Sequence, residues 1–406
     1  MQKKFILTFL VLLLALGVSG ISLAQEGEPI KVGAIFDLSG PTADVGTPYS
    51  EGFRAYVDWV NSNGGIEGRP IELLWQDYAY EVPNAETLYT QFVEEGAVFF
   101  HGWGTGDTEA LVGRIAEDEI PFVSASYSDG LNSPGPEGEA PYNFLVGTTY
   151  SDQLVIMLHY TLEQWLAEGN DAAGMNVVVF HNDSPFGTSP LEDGAAFAED
   201  NGIGSFNAIP MPRGATDFTA ELTQAQRFGM THLIIQNTSG PAATLLLSLQ
   251  DNGILGTVSV GCLNWCADEN LVNLAGDAAE GVLGALPFAP VSGDLPGFEQ
   301  PAAYLEAQDR TLEEVGLHYT QGWWSMAIMS EGLRLTIESG EELTGPNILA
   351  SLESMTDFET GGISAPISFT PEDHRGNRSV TVSAVEDGVW VAVSDVIDLR
   401  TMEAES

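Results

Sequence analysis

Two doubly wound α/β lobes are what this sequence predicts, and three observations predict them. Short apolar runs alternate with helical patterns over most of the chain, as strands and crossover helices do in parallel sheets. The chain has 406 residues, and chains of that size usually split into two domains because a single core stops growing. The stretch Ile30–Arg69, IKVGAIFDLSGPTADVGTPYSEGFRAYVDWVNSNGGIEGR, reads as a strand, a Ser-Gly-Pro turn, an amphipathic helix and a Gly-Gly stop before a second strand. That order is the first part of a βαβ unit.

At the N-terminus, Lys3 and Lys4 precede an apolar run from Phe5 to Val18, and Ser22-Leu23-Ala24 offers a small-x-small cleavage site before Gln25. The alternative, a membrane anchor, needs ~20 apolar residues, and this run is shorter. Residues 1–24 are therefore expected to be a cleaved signal peptide, and no Cys follows the apolar run to carry a lipid. The mature protein is expected to be soluble, in the periplasm or outside the cell.

The strands come next. Ile30–Phe36, Ile71–Trp75, Val98–His101, Phe122–Ser124, Asn176–Phe180, Leu233–Ile235 and Val258–Val260 are apolar runs, most of them bounded by Gly, Ser, Asn or Asp. Buried parallel strands look like this because neither face is solvated. In the first helix Phe53, Val57 and Val60 recur at helical spacing beside Tyr56, and Asn63-Gly64-Gly65 supplies a left-handed stop. Asp217 is a candidate N-cap for a later helix. Ser133–Gly138 is dense in Pro and Gly but too short for a linker, and reads as a surface loop.

Charge narrows the partners. The chain carries 58 acidic and 13 basic residues, a formal net charge of -45. Nucleic-acid affinity comes mainly from Lys and Arg neutralising phosphates, so nucleic acid and anionic lipid are excluded as partners. Solubility is the plain explanation of the charge, and adaptation to salt or acid leaves the same signature.

Ligands of open α/β sheets bind beyond the carboxyl ends of the strands. The segments found there are Asp37–Pro41, His101–Thr108, Ser124–Ser128, His181–Gly187, Gln236–Ser239 and Gly261–Cys266. They are rich in hydroxyls, amides and aromatics. The chain has no G-x-S-x-G elbow and no phosphate loop, and its histidines stand in no metal or nucleophile–base spacing. No enzyme, no cofactor and no metal is expected. A secreted hydrolase is the alternative from another class, with His101 and His181 at strand ends.

At these segments the chain resembles the leucine/isoleucine/valine-binding family, the type I periplasmic solute-binding proteins of ABC uptake systems. The matching residues are LSGPTADVG at Leu38–Gly46, NSNGGIEGRPIEL at Asn61–Leu73, EDEIPFVSAS at Glu117–Ser126, DFTAEL at Asp217–Leu222 and NLAGDAAEGVLG at Asn273–Gly284. Each is weak alone; the ordered set covers nearly all the mature chain. The resemblance implies the type I periplasmic binding protein fold, two Rossmann-like lobes joined by three crossovers with a ligand cleft between them. Carried over, one lobe holds residues 27–147 and 287–365, and the other holds 148–286 and 366–406. It also implies a monomer that closes on its ligand by hinge motion and delivers it to membrane permease subunits. A sensory binding protein serving a receptor has the same fold, so only the partner separates the two.

The family holds a ligand carboxylate with hydroxyls and amides after the third and fourth strands, here Thr105, Ser126 and Ser128; capping of the following helices is their structural alternative. Its branched-chain members pair the ligand ammonium with a carboxylate, and the matching position here is Asn264, a neutral amide. An unpaired buried ammonium is expensive, and Asp183 or Asp107 is the candidate substitute. Two aromatic wall positions of the family become Val45 and Thr238, and a third is Phe186. Trp103, Tyr127, Trp265 and Trp323 are new aromatics, Trp323 having helix core as its alternative. The expected ligand is thus a small amino-acid-like solute, or another small organic acid or amide with an aromatic one included. Cys262 and Cys266, an even pair in an exported chain, are a candidate disulfide.

Overall fold

A computed structural model describes residues 27–135 and 137–405; the expected signal peptide lies outside the described residues. The first sheet is built from β1 (Ile30–Phe36), β2 (Ile71–Asp77), β3 (Phe99–Gly102), β4 (Phe122–Ser124) and β5 (Asn143–Leu145), with α1 (Ala43–Ser62), α2 (Val82–Glu94) and α3 (Thr105–Asp118) between them. The strand order is β2-β1-β3-β4-β5, and every pairing is parallel. α4 (Tyr150–Ala167) then leads into a second sheet. Its first strands are β6 (Asn176–Asn182), β7 (Ser205–Met211), β8 (His232–Gln236), β9 (Ser259–Cys262) and β10 (Leu283–Leu286). Between them run α5 (Pro185–Thr188), α6 (Leu191–Asp200), α7 (Thr219–Arg227), α8 (Ser239–Asp251) and α9 (Glu269–Ala275).

After β10 the chain returns to the first lobe as α10 (Glu299–Glu306), α11 (Leu312–Glu338) and α12 (Gly345–Glu353). It comes back a last time as the hairpin β11 (Ser379–Glu386) and β12 (Val389–Asp398), followed by α13 (Leu399–Glu405). The hairpin extends the second sheet antiparallel to β10, giving the order β12-β11-β10-β9-β8-β6-β7. Before that last crossing, residues 367–376 bond to the first lobe, Ile367 with Phe358 and the Gly376 N–H with the Leu145 carbonyl. Among the described residues no helix is long and apolar enough to cross a membrane.

The predicted helix stop is present. Gly64 and Gly65 sit at φ 99° and 73°, a region open to Gly because it lacks Cβ. Asp217 falls one residue short of its predicted role: Phe218 is the N-cap of α7, while Asp217 accepts the Thr219 N–H at 3.1 Å. α1 and α11 approach closely enough that a Cβ on Gly52 would strike the Tyr319 carbonyl, and one on Gly322 the Tyr49 carbonyl.

This contact corrects one site expectation. Trp323 lies in the core between these helices, its ring 5.4 Å from Tyr56, 5.9 Å from Trp59 and 5.6 Å from Tyr304. The neighbouring Trp324 donates its indole N–H to the Gly297 carbonyl. The helix turns Trp323 inward because its face is packed against α1, and no part of it reaches the cleft.

Candidate functional site

The ends of β1, β3 and β4 converge on one mouth of the first lobe, facing the starts of α4, α5 and α8 in the second. The first lobe supplies Thr42, Val45, Tyr80, Trp103, Gly104, Thr105 and Ala125 to an interlobe cavity, and the second supplies Tyr150, Phe186, Thr238 and Trp265. The cavity measures about 20 Å³, room for about one water molecule. The lobes are therefore shut on each other, and a larger guest requires them to part.

Polar side chains at this mouth are fixed from behind. Asp37, buried at the end of β1, accepts the Thr42 N–H at 2.8 Å and the Thr42 hydroxyl at 2.7 Å. Thr42 Oγ1 in turn accepts the Trp103 indole N–H at 2.9 Å. Thr105 Oγ1 and Ser126 Oγ are 2.6 Å apart, and the Ser128 N–H reaches Ser126 Oγ at 3.4 Å. Asp107 accepts the Tyr78 hydroxyl at 2.8 Å and the Gly104 N–H at 3.1 Å. Burial pushes its carboxyl up to about 7.

Aromatic rings form the seam between the lobes. Trp103 and Trp265 meet with centroids 5.3 Å apart, and Tyr150 meets Phe186 edge-on at 5.3 Å. Tyr127 stacks on Trp265 at 6.0 Å and 9°, while its hydroxyl accepts the Gln321 amide at 2.8 Å. The Trp265 indole N–H donates to the Tyr150 hydroxyl at 2.9 Å.

Three carboxylates tie the lobes across the seam beside the cavity. Asp44 Oδ2 accepts the Gly240 N–H at 2.8 Å. Asp268 lies 3.1 Å from His318 Nε2 and accepts the Ser239 hydroxyl at 2.6 Å. Glu269 accepts the Leu317 N–H at 2.8 Å and the Val291 N–H at 2.7 Å. Gly316 makes the Leu317 bond available: at φ 74° it interrupts α11, and a Cβ there would crowd Glu269 Oε2 at 3.0 Å.

Of the residues expected at the ligand, Trp103, Thr105, Phe186 and Thr238 line the cavity. Ser126, Tyr127 and Ser128 are not in the lining: Ser126 bonds to Thr105, Tyr127 stacks on Trp265, and the Ser128 N–H reaches Ser126. Asn264 is buried with its carboxamide unpartnered, and its backbone N–H donates to Gln153 Oε1 at 2.9 Å. It does not line the cavity. Asp183 is exposed and does not line the cavity. Cys262 and Cys266 are free, buried thiols, which corrects the disulfide expectation. Cys266 Sγ donates to the Ile235 carbonyl at 3.4 Å, and burial together with the Cys266 thiol pushes Cys262 well above the usual thiol range.

Sequence reasoning missed Thr42, Tyr80 and Tyr150 as lining residues. Tyr80 was within reach of the same strand-end rule, because it follows β2.

A cleft lined from two α/β lobes and bonded shut across its seam defines a two-lobed solute-binding protein. Residues 29–389 match the family described as periplasmic binding protein, and the chain belongs to that family. It is 21% identical over 396 residues to Leu/Ile/Val-binding protein homolog 7 of Brucella abortus, covering 94% of this chain and 96% of that one. A branched-chain amino acid ABC transporter protein from Thermus thermophilus, solved with bound valine, superposes with a TM-score of 0.85 at 25% identity, covering 93% of this chain and 99% of that one. A solute-binding protein of an ABC transporter from R. palustris, in complex with 4-hydroxybenzoate, superposes with a TM-score of 0.75 at 20% identity, covering 92% and 97%. The chain thus stands among ABC-transporter substrate-binding proteins, whose members are binders and not enzymes.

Proposed function

We propose that this protein is the extracytoplasmic binding component of an ABC-type importer, taking up a small organic solute between its lobes and passing it to permease subunits in the membrane. The observation that carries this is the cavity, lined by seven residues of one lobe and four of the other. A ligand touching both faces is completed only by closure, so binding and closure are one equilibrium. Thr105, Ser126 and Ser128 would position the ligand from the first lobe, with Trp103 and Tyr127 behind or beside it. Phe186, Thr238 and Asn264 belong to the lobe that closes. In this scheme the lobes are 27–147 with 287–365, and 148–286 with 366–406. The hydrogen bonds of residues 367–376 to the first lobe favour a third crossing just after Gly376 within this scheme.

The test is a thermal-shift screen of the purified protein against amino acids, aromatic acids, amides and small cations, followed by small-angle scattering with each hit. A solute that binds only the folded state must raise the melting temperature by mass action. A hit that also shrinks the molecule supports uptake by closure. Turnover of a small amide or ester, with no stoichiometric binder, would replace the binding function with a hydrolytic one.

A further inference from the structure

The cavity wall is unusual in what it lacks. Five of its eleven lining residues are aromatic: Tyr80, Trp103, Tyr150, Phe186 and Trp265. None is Lys, Arg or His. Both indole N–H groups are already spent, on Thr42 and on Tyr150, and Tyr127 and His318 stack on part of Trp265, so what the two tryptophans have left to offer a guest is the ring surface where they meet each other at the cavity. Aromatic faces carry negative quadrupole density and attract cations.

Carboxylates stand directly behind this wall. Asp107 Oδ1 packs against Gly104 on the side where a Cβ would project, beside Tyr80. Asp44 neighbours the lining residue Val45, and its Oδ1 and the Thr238 hydroxyl face each other without a well-formed hydrogen bond. A guest carboxylate that brings no cation of its own would meet two buried carboxyl groups and no basic side chain in the lining; His318, which stacks on Trp265, is already paired with Asp268. A primary ammonium would need three acceptors, because each unmet N–H carries its full desolvation cost. The Thr42 oxygen is occupied, and Thr105 and Ser126 satisfy each other, which leaves the Thr238 hydroxyl and Asp44 Oδ1 as side-chain acceptors without partners, two where a primary ammonium needs three. An alkylated ammonium has no N–H to satisfy, and its charge spreads over methyl groups that pack well on aromatic faces.

We propose that the cleft takes a small organic cation with a quaternary ammonium headgroup, held between Trp103 and Trp265 and enclosed by Tyr80, Tyr150 and Phe186. This rests on the solute-binding function proposed above and names its ligand class. The headgroup parts the two indoles from their mutual contact when it enters. The charge of -45 over the whole chain raises the local concentration of cations and speeds their encounter. A short tail with a hydroxyl or a carboxylate would reach the Thr105–Ser126 pair.

The decisive experiment is calorimetric titration of the purified protein with tetramethylammonium, choline and glycine betaine, alongside 3,3-dimethylbutan-1-ol, valine and 4-hydroxybenzoate. The alcohol copies the shape of choline without its charge. Choline or glycine betaine is expected to bind at least tenfold more tightly than the alcohol, about 1.4 kcal/mol. Trp265→Leu is expected to weaken that binding at least tenfold, while Trp265→Phe, which keeps a π-face, recovers part of it. Melting curves without ligand separate a lost site from a lost fold, and Trp103→Leu is the second variant should Trp265→Leu fail to fold. Choline binding with glycine betaine excluded means a free cation; the reverse means a zwitterion; both sustain the proposal. Equal affinity for choline and the neutral alcohol overturns it. Binding of valine or 4-hydroxybenzoate with no quaternary ammonium bound also overturns it, and leaves the solute-binding function standing. No binding by any solute of either screen overturns that function too.

Discussion

Asp44, in the first turn of α1, accepts a hydrogen bond at 2.8 Å from the backbone N–H of Gly240, in the first turn of α8 on the opposite lobe. A helix N-terminus leaves its first N–H groups without intrahelical partners and carries partial positive charge. Here the capping carboxylate comes from the other lobe, so the cap exists only while the cleft is shut. A hydrogen bond to a charged group is worth about 1.5–3 kcal/mol. Asp44→Ala should therefore shift the unliganded protein toward open forms by roughly a factor of ten or more. Small-angle scattering should show a larger radius of gyration, and Asp44→Asn, which keeps an acceptor, should fall between. An unchanged radius in a folded Asp44→Ala protein would remove Asp44 from the closure mechanism.

His318 and Asp268 form the second tie. Burial pushes the His318 pKa down, but the hydrogen bond and charge of Asp268, with Gln321 and Glu269, outweigh it and leave the imidazole above its ordinary range. Also facing the pair are the Trp265 ring at 5.0 Å and the Ser239 hydroxyl on Asp268, with Asp44 nearby. A pKa raised in the closed form favours closure at low pH, and the gain is lost as pH rises through the closed-state value. Ligand affinity should accordingly fall as the solution is taken from about pH 6.5 upward. His318→Gln should flatten that slope. A slope that survives the substitution assigns the pH dependence to another group.

How much of this was visible beforehand differs between fold and site. The predicted runs at Ile30–Phe36 and Phe122–Ser124 coincide with β1 and β4, because buried parallel strands are apolar on both faces. β7 escaped notice because most of its residues are exposed or half-buried and it contains Pro210. The β11–β12 hairpin was overlooked although Asp387 and Gly388, at φ 50° and 77°, carry a recognised hairpin turn signal. At the site, segments that trail strands could be found because topology alone places them at the mouth. Which of two adjacent tryptophans turns inward is decided by the α1–α11 contact, through Gly52 and Gly322, and no local pattern around Trp323 encodes it. The cross-lobe bonds of Asp44 and Asp268 join residues far apart in sequence, so spacing could not reveal them.

Trp323 and Trp265 should separate cleanly on mutation. Trp323 is buried among Tyr56, Trp59 and Tyr304, where overly small replacements leave cavities. Trp323→Ala should cost about 3–5 kcal/mol of folding stability and leave ligand affinity within roughly twofold in whatever fraction folds. Denaturant titration with and without ligand measures both quantities. A loss of affinity at unchanged stability would return Trp323 to the cleft.

His101 gives the acid side of the stability curve. Its ring lies 4.6 Å from Phe53, 5.4 Å from Tyr49 and 5.6 Å from Phe36. Neither ring nitrogen has a hydrogen-bond partner. Burial drives its pKa down to about 3, so the folded protein keeps it neutral while the unfolded chain protonates near 6.5. A depressed folded pKa contributes stability above the unfolded value, and that stability drains away as pH falls toward the folded one. At pH 5 the loss from this one group is about 2 kcal/mol. His101→Phe fills nearly the same space, leaves no buried nitrogen unmet and cannot take up a proton. It should match or exceed the parent in denaturant titrations at pH 7.5 and exceed it by about 2 kcal/mol at pH 5. His232, held down to about 4 by burial, remains in both proteins, so the variant keeps a shallower acid slope. An advantage of equal size at both pH values would trace the gain to packing rather than to the proton.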